Sequence, residues 1–522
     1  MKKFFSFISI KESILVFIIF IFSLLINQYY GNKGVFPIDS FGHFDSGFRI
    51  LLGEYPFKDF WVISGPAIDY LQSLFFYFFG VNWQIYVLHA STINALVALA
   101  TFFVLKNFKL NIYYCFIYSI LFSILAYPVS GTPFVDHHSA FFSLLGVYSL
   151  ILGIKNENKF YWIFLPFFLF IAFFSKQVPS AYVIIVILFT LTFYTLKNKK
   201  FYWIKYCALS TIFLIIFLIT LFYFQGINFY SFLDQYILYP QTLGDERYNN
   251  LDIDFKNIIL DFKYIYISMA VFTYINIKNI FSIKNYLREK NFYYFLIIFL
   301  LTLSMIFHQL LTRNQIFIFF LIPILFAFSH INLIQFQKKN FFLVILMILL
   351  CIFVTIKYHL RFNQERKFHE LNNVNFELSL KGSLIDKKFK GLSWISPHYQ
   401  NTQEEINNIL DIKSHIESDN NSKMVLTNYS FFSLILNQKL HSPIRWFIEN
   451  GVSHPLIDNK YFSDFRGFFI KKIKDNKIKV IYTVKPVDTS FLKEILGKKC
   501  IKTLNVNNML NIHSVLNCDK LK

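Results

Sequence analysis

Apolar runs of membrane-spanning length recur along this 522-residue chain up to about residue 358. A helix needs about 20 mainly apolar residues to cross the hydrocarbon core of a bilayer, and by that measure the sequence predicts about eleven spans. They lie near residues 14–30, 84–105, 112–128, 139–154, 160–175, 178–196, 203–224, 263–281, 292–310, 314–330 and 341–358. The composition agrees, because only 16% of the residues are charged, against about 25% in soluble domains. We therefore expect an α-helical polytopic membrane protein.

Lysine and arginine gather before the first apolar run and in every second short loop after it. They are Lys2, Lys3, Lys11, Lys106, Lys109, Lys155, Lys159, Lys197, Lys199, Lys200, Lys284, Arg288, Lys290, Lys338 and Lys339. Cytoplasmic loops carry such an excess, so the pattern predicts a cytoplasmic N-terminus. With an odd number of spans, the C-terminal tail of a bacterial inner-membrane protein then lies in the periplasm. The lysines and arginines next to a bilayer account for the net charge of +20. The charge therefore does not indicate that the protein binds nucleic acid.

The chain changes character after about residue 358, where it becomes polar. KMVLTN (423–428) and IKVIYTV (478–484) have the composition of strands. The segment YFSDFRGFFIKKIKDN (461–476) has a helical pattern, and a helix before a strand is typical of an α/β domain. The predicted domains are a membrane bundle (1–358) that includes an acidic first outer loop (31–83), and a small extramembrane α/β domain in the periplasm (359–522).

The first outer loop carries carboxylates directly after the first apolar run. The stretch FPIDSFGHFDSGFRILLGEYPFKDFWVISGP (36–66) places four of them among aromatic residues: Asp39, Asp45, Glu54 and Asp59. A carboxylate drawn into a cavity at a membrane is costly and usually functional. The segment IDYLQSLFFYFFG (68–80) that follows is too short to span and is typical of an interfacial helix.

This succession is similar to a known family of membrane enzymes. A first span, an acidic outer loop, the G-x-x-P-x-x-D pattern of GEYPFKD, a GP pair and an amphipathic helix that ends in FG resemble the GT-C glycosyltransferases. The bacterial relatives of the protein O-mannosyltransferase and aminoarabinose transferase families are the most similar. The resemblance implies a glycosyltransferase that moves a sugar from a polyprenyl-phosphate-linked donor to a lipid, glycan or protein acceptor on the periplasmic face.

The resemblance also implies an essential carboxylate in this loop. Many family members carry adjacent acidic residues there, whereas Ser40 follows Asp39 in this chain. Sugar transfer to a hydroxyl needs a base, or a metal held by carboxylates, to activate the acceptor. We assign this catalytic role to Asp39 first and to Asp45 second. A divalent metal is the one cofactor that this chemistry leaves open.

The departing phosphate of the donor requires cations. Lys176 and Arg313 lie near predicted outer ends of spans, against the general charge trend, and we expect them to bind this phosphate. His308 and Arg49 are further candidates for the same role. For Lys176 the alternative is snorkelling of its ammonium to the membrane interface.

The second predicted outer loop contains VDHHS (135–139). Its residues Asp136, His137 and His138 form a candidate acceptor or metal site, although adjacent histidines cannot point the same way on a helix. The alternative is a polar helix start with Asp136 near the N-cap. Two carboxylates of the first loop are expected to be structural, with Glu54 and Asp59 in surface pairs with Arg49 or Lys58.

Two of the five cysteines lie in the tail. Cys500 opens the strand-like run CIKTLNV, and MLNIHSV leads back toward Cys518 after a turn at Asn507 and Asn508. A hairpin of this kind brings its two ends together. In an oxidising compartment we expect the two cysteines to form a disulfide, with free thiols as the alternative.

Two other functions fit part of the sequence. A polysaccharide polymerase or ligase also has many spans, but more often places a large loop late in the bundle. A transporter or flippase places functional charge near the bilayer midplane, often within repeated halves, and we find no internal repeat. The position of the ionisable residues therefore discriminates between a transferase and a transporter.

Overall fold

The computed structural model describes residues 9–313, 318–336, 341–448, 451–485, 487 and 489–516. They divide into two compact units, each assembled from separate stretches of chain. Unit 1 comprises Met1–Gly31, Ala90–Phe217 and Arg247–Phe368, and unit 2 comprises Asn32–His89, Leu218–Glu246 and His369–Lys522. Most of the predicted acidic loop therefore belongs to the unit that contains the tail.

The α-helices dominate the chain. In chain order they are α1 (Ile10–Gly31), α2 (Pro37–Ser40), α3 (Gly42–Leu51), α4 (Pro66–Phe79), α5 (Trp83–Asn107), α6 (Ile112–Leu125), α7 (Val135–Asn156), α8 (Lys159–Ser175), α9 (Gln177–Asn198), α10 (Tyr202–Gln225), α11 (Phe229–Phe232), α12 (Tyr239–Asn249), α13 (Lys263–Ser282), α14 (Lys290–Thr312), α15 (Leu321–Phe336), α16 (Phe341–Tyr358), α17 (Thr402–Ser418), α18 (Phe432–Leu436), α19 (Phe462–Asp475) and α20 (Thr489–Leu496). The strands are β1 (Leu380–Lys381), β2 (Ser393–Trp394), β3 (Lys423–Leu426), β4 (Val480–Val484), β5 (Ile501–Asn505) and β6 (Leu510–Val515).

Eight helices of the described residues are long and apolar enough to cross a membrane, by length and composition. They are Ile10–Gly31, Trp83–Asn107, Ile112–Val129, Val135–Asn156, Gln177–Asn198, Tyr202–Gln225, Lys290–Thr312 and Phe341–His369. The protein is therefore an α-helical membrane protein, as the sequence predicts. Two shorter apolar helices, α8 and α15, and the 20-residue helix α13 occupy the other predicted intervals. The count of eleven spans stays a prediction.

Two predicted helix boundaries differ from those in the structure. The interval 314–330 begins too early, because α15 starts at Leu321, with residues 314–317 outside the described part of the chain. Pro323 lies in the first turn of α15, where a missing backbone N–H is tolerated. The interval 139–154 begins too late, because α7 already starts at Val135. Asp136 and both histidines are therefore helical rather than in a loop.

Helix α7 is almost entirely buried, since every residue from Asp136 to Ile154 except Leu145 is buried. Small residues let α8 approach it closely. A Cβ atom at Gly153 would lie 2.9 Å from the Trp162 ring, and one at Gly146 would lie 2.9 Å from Leu169. Close backbone approach through small residues is typical of helix packing in membranes, and here it holds α8 directly against α7.

Unit 2 contains a four-stranded sheet in the order β3-β4-β6-β5. Strands β3 and β4 correspond to the two strands predicted in the tail and pair in parallel, whereas β4–β6 and β6–β5 are antiparallel. The predicted helix is α19. Helix α17 buries a stripe at helical spacing against the sheet core, formed by Ile406, Ile409, Ile412 and Ile416. An extramembrane position of this segment stays a prediction.

The predicted interfacial helix is α4, which exposes large apolar side chains and buries its polar residues together with Ile68 and Phe76. Asp69, Gln72 and Ser73 are buried. Tyr77 and Phe78 are 72% and 69% exposed. Gly65 takes a left-handed φ of 75° before the helix, and Pro66 occupies its first position, where a fixed φ is favourable.

Candidate functional site

Three ionisable side chains of unit 1 meet at the ends of apolar helices. Lys176 Nζ lies 2.7 and 2.8 Å from the two carboxylate oxygens of Asp136. His308 Nε2 lies 2.9 Å from Asp136 Oδ1. The Asp136 and His308 side chains are buried, whereas 17% of the Lys176 side chain is exposed. Because a buried charge requires a partner, this cluster explains how the helix bundle holds a carboxylate.

The local structure fixes each member of the cluster. Asp136 lies in the first turn of α7, where the helix dipole favours a negative charge. Lys176 is the single extended residue between α8 and α9, and its carbonyl accepts from Ser139 Oγ at 3.2 Å and from Ser180 Oγ at 2.7 Å. His308 lies in the last turns of α14. The cluster therefore joins the start of α7, the α8–α9 junction and the end of α14.

The turn that precedes α7 is held by an arginine. Buried Arg366 donates to the carbonyls of Pro128, Val129 and Ser130 at 2.8, 3.2 and 3.0 Å. Asn27 Nδ2 adds a hydrogen bond to Gly131 O at 3.1 Å. These contacts satisfy carbonyl groups that lack helical partners, and they fix the approach of the chain to Asp136.

The two adjacent histidines of α7 have different surroundings, as expected for neighbours on a helix. His138 Nδ1 makes a hydrogen bond with Tyr127 Oη. The His137 ring stacks on Tyr127, with ring centroids 5.2 Å apart. Among the described residues no three His, Cys, Asp or Glu side chains are placed to hold a metal ion. The Asp136–His138 segment thus shows an ion pair and aromatic contacts.

A second charged cluster lies in unit 2 around Asp69 of α4. His43 Nδ1 lies 2.7 Å from Asp69 Oδ1, and Ser46 Oγ lies 2.5 Å from the same oxygen. Arg445 Nη2 lies 2.5 Å from Asp69 Oδ2. Asp69 is fully buried and 7% of the His43 side chain is exposed. The carboxylate thus accepts from an imidazole, a hydroxyl and a guanidinium.

Gly47 of α3 allows the close approach of α3 and α4 at this cluster. A Cβ atom at Gly47 would lie 2.7 Å from Gln72 Cγ of α4. The missing side chain lets α3 pack directly on α4, and His43 and Ser46 of α3 contact Asp69 of α4.

The candidate catalytic carboxylate Asp45 is buried in unit 2. Its carboxyl group accepts from Ser433 and from the backbone of Leu434, and burial raises the pKa of Asp45 to about 6 despite the nearby Arg49. Asp39, the first choice for the catalytic role, lies half-buried in α2.

The predicted structural pair of Glu54 and Arg49 is present, but it is not at the surface. Arg49 Nε lies 2.8 Å from Glu54 Oε2, and both side chains are buried. Arg49 also donates to the Ser442 carbonyl at 2.8 Å. Its guanidinium therefore binds groups within unit 2, whereas the sequence makes it a candidate for the donor phosphate. Burial raises the pKa of Glu54, but Arg49 and His441 outweigh this effect and hold it at about 2.

Asp59 has a different partner from the expected ones. It pairs with Lys472 of α19 at 3.0 Å. Lys58 instead donates to the Gln225 carbonyl at 2.9 Å, because neighbouring side chains at this turn diverge. Arg313, at the end of α14, is exposed and donates to the Asn250 carbonyl at 2.9 Å.

The two tail cysteines are described unequally. Cys500 precedes β5 and is disulfide-bonded. Cys518 lies outside the described residues, so the predicted pairing of the two stays a prediction. The predicted hairpin is formed by β5 and β6, and Asn507 Oδ1 accepts from the backbone N–H groups of Met509 and Leu510 at 2.8 Å in its turn.

Sequence reasoning missed the Asp69 cluster. Asp69, Gln72 and Ser73 form one polar face on an otherwise apolar helix. Their spacing in the sequence indicates that face before the structure is known. His43 lies two residues before Asp45, in the same acidic stretch of the sequence. Arg445 had no signal, because 376 residues separate it from Asp69.

No protein-family model matches the chain, and no curated protein sequence matches it.

Proposed function

We propose that this protein is a glycosyltransferase of the bacterial inner membrane. It moves a sugar from a polyprenyl-phosphate-linked donor to a hydroxyl of a lipid, glycan or protein acceptor on the periplasmic face. The observation that carries the proposal is the position of the charged residues. In the described helices α1, α5–α10 and α13–α16, every Asp, Glu, Lys and Arg lies within five residues of a helix end, and of the histidines only His89 and His330 lie further inside.

This distribution favours a transferase over a transporter. Transporters and flippases place ionisable residues near the bilayer midplane, where they form the substrate pathway. A lipid-linked sugar keeps its tail in the bilayer and its phosphate at the surface. Charged groups at helix ends are at the right depth for that phosphate.

Within the cluster of unit 1, Lys176 is the residue suited to the donor phosphate. Its ammonium has three hydrogen-bond donors and contacts both oxygens of Asp136. Its side chain is also the one with partial exposure. Asp136 and His308 hold the ammonium at the helix ends, so that it is positioned before the donor binds.

The catalytic carboxylate is assigned to Asp39 or Asp45 through the resemblance to GT-C enzymes. Asp45 has one supporting property, since burial raises its pKa to about 6. A base acts best when its pKa lies near the working pH. The other role left open for these carboxylates is to hold a divalent metal or to stabilise the positive charge that develops on the sugar.

The exposed apolar face of α4 supports a bilayer partner. Leu74, Tyr77, Phe78 and Phe79 are exposed, while the polar residues of the helix are buried. A helix of this kind lies in the membrane interface with its apolar face toward the acyl chains. This position suits an enzyme that takes its donor from the bilayer.

The test compares a deletion strain with the same strain that carries the wild-type gene. We expect the deletion to remove one sugar from a surface glycan, glycolipid or glycoprotein, and a polyprenyl-phosphate-linked sugar to accumulate. Reporter fusions at residue 45 and in the tail should both report the periplasm. Unchanged glycan and lipid-linked sugar profiles, or cytoplasmic reporters at both positions, would refute the proposal.

A further inference from the structure

The Asp69 cluster of unit 2 has the geometry of an oriented imidazole. His43 Nδ1 lies 2.7 Å from Asp69 Oδ1. Asp69 also binds the Arg445 guanidinium, and a carboxylate paired in this way only accepts hydrogen bonds. Nδ1 of His43 therefore carries the proton of the neutral ring, and Nε2 is left as the nitrogen with a lone pair.

We propose that His43 takes the proton of the acceptor hydroxyl in the transfer reaction and that Asp69 is its positioning residue. This inference rests on the proposed glycosyltransferase function. It adds a residue that the resemblance does not supply. It leaves Asp39 and Asp45 to stabilise the positive charge that develops on the sugar.

Exposure separates the two roles. Asp69 is fully buried, whereas His43 retains 7% exposure. The proposal therefore gives the contact with the acceptor hydroxyl to the imidazole, the member of the pair that retains some exposure. Ser46 Oγ, 2.5 Å from Asp69 Oδ1, fixes the carboxylate further, and this restricts the orientation of the ring.

The charges around His43 keep the ring neutral before the reaction. Burial lowers the pKa of His43, the positive charge of Arg445 lowers it further, and Asp69 partly opposes both. His89 of α5 is the other titratable neighbour. Tyr236 and Tyr86 lie on the Arg445 side of the cluster. A neutral imidazole at pH 7 is the form that accepts a proton.

The acceptor oxygen forms a bond to the anomeric carbon of the sugar, and the bond from that carbon to the phosphate oxygen breaks. The electron pair leaves with the polyprenyl phosphate, which gains one negative charge. The hydroxyl proton moves to Nε2 of His43, and Asp69 stabilises the imidazolium that forms.

The first test measures transfer by the wild-type protein and by His43→Gln. Glutamine retains an amide N–H that can donate to Asp69, but it has no basic nitrogen. We expect its kcat to fall about 100-fold or more, with the donor KM unchanged. His415→Gln, at an exposed histidine of α17, is the matched control and keeps full activity. A His43→Gln kcat within threefold of wild type overturns the proposal.

The second test needs no substrate. Diethyl pyrocarbonate reacts with neutral, accessible imidazole, and mass spectrometry locates the product. We expect His43 to be modified between pH 6 and 8, and Asp69→Asn to slow this reaction at least tenfold at pH 7. The asparagine amide can donate to Nδ1, which moves the ring proton to Nε2. Labelling of His415 should not change.

These tests separate the inference from the proposed function. If the wild-type protein transfers sugar and His43→Gln does so equally, only the role of His43 is wrong. If the wild-type protein transfers nothing, the proposed function fails whatever the labelling shows. If Asp69→Asn does not accumulate, diethyl pyrocarbonate labelling of the wild-type protein alone is the test. If His415 is labelled and His43 is not, the proposal is overturned.

Discussion

Lys176 and Asp136 form a two-pronged ion pair across unit 1, with Nζ 2.7 and 2.8 Å from the two carboxylate oxygens. His308 binds the same carboxylate at 2.9 Å. The pair lies where α7 begins and α8 ends. A cation that is held at the helix ends and remains partly exposed is the group we assign to the donor phosphate.

The first prediction concerns this cation. Lys176→Ala should weaken binding of a polyprenyl phosphate about 10- to 100-fold, because a hydrogen bond to a charged group contributes roughly 1.5–3 kcal/mol. Lys106→Ala is the control, since Lys106 also pairs with a carboxylate, Glu12, near helix ends. Binding of a fluorescent polyprenyl phosphate to the protein in nanodiscs measures both. Equal affinities for the two variants would leave Lys176 with a structural role.

The second prediction concerns the buried pair of Arg49 and Glu54. Glu54→Gln leaves the guanidinium without its counter-charge, which should cost about 3–5 kcal/mol of unfolding free energy at pH 7. Glu157→Gln breaks a pair that is 41% exposed on its acidic side and should cost less than about 1 kcal/mol. Chemical denaturation in detergent measures both values.

The pH dependence of the same pair has a definite sign. The pKa of Glu54 is held at about 2, below its value in the unfolded chain. Its contribution to stability is therefore complete above about pH 4.5 and is lost as the pH falls toward 2. The difference between wild type and Glu54→Gln should shrink over that interval. A difference that is constant from pH 7 to pH 3 would contradict the assignment.

The third prediction concerns Asp45, whose pKa shift has the opposite sign. Because burial raises the pKa of Asp45 to about 6, the folded state holds this proton more tightly than the unfolded state. Stability should fall by about 2–3 kcal/mol as the pH rises from about 4 to 6. Asp45→Asn removes that loss, so it should match wild type at pH 4 and exceed its stability at pH 7. Equal pH profiles of unfolding for the two proteins would place the Asp45 carboxyl in water.

The sequence predicts elements better than it predicts contacts. Long apolar runs identify the helices of unit 1, and strand-like runs identify β3 and β4, because each depends on local periodicity. Glu54 and Arg49 are close in sequence, so their pairing was foreseeable, but their burial was not. Asp69 and Arg445 are 376 residues apart, and only the packing of unit 2 brings them together.

The fourth prediction concerns the exposed apolar face of α4. A nitroxide at Phe78, which is 69% exposed, should be more accessible to oxygen than to a water-soluble nickel complex in liposomes, because apolar solutes concentrate in the acyl region. A nitroxide at Glu404, on the exposed side of α17, should show the reverse preference. If Phe78 prefers the nickel complex, α4 does not lie in the membrane interface.

Sugar transfer by the purified protein tests the central claim most directly. Wild-type protein in liposomes is supplied with a panel of radiolabelled undecaprenyl-phosphate-linked hexoses and pentoses, together with a lipid extract of the deletion strain as acceptor. We predict that label from one donor moves to an acceptor and that free undecaprenyl phosphate forms in equal amount, with Lys176→Ala much slower and Lys106→Ala normal. If every donor of the panel stays intact with wild-type protein that is folded and membrane-inserted, the protein is not a transferase of this class.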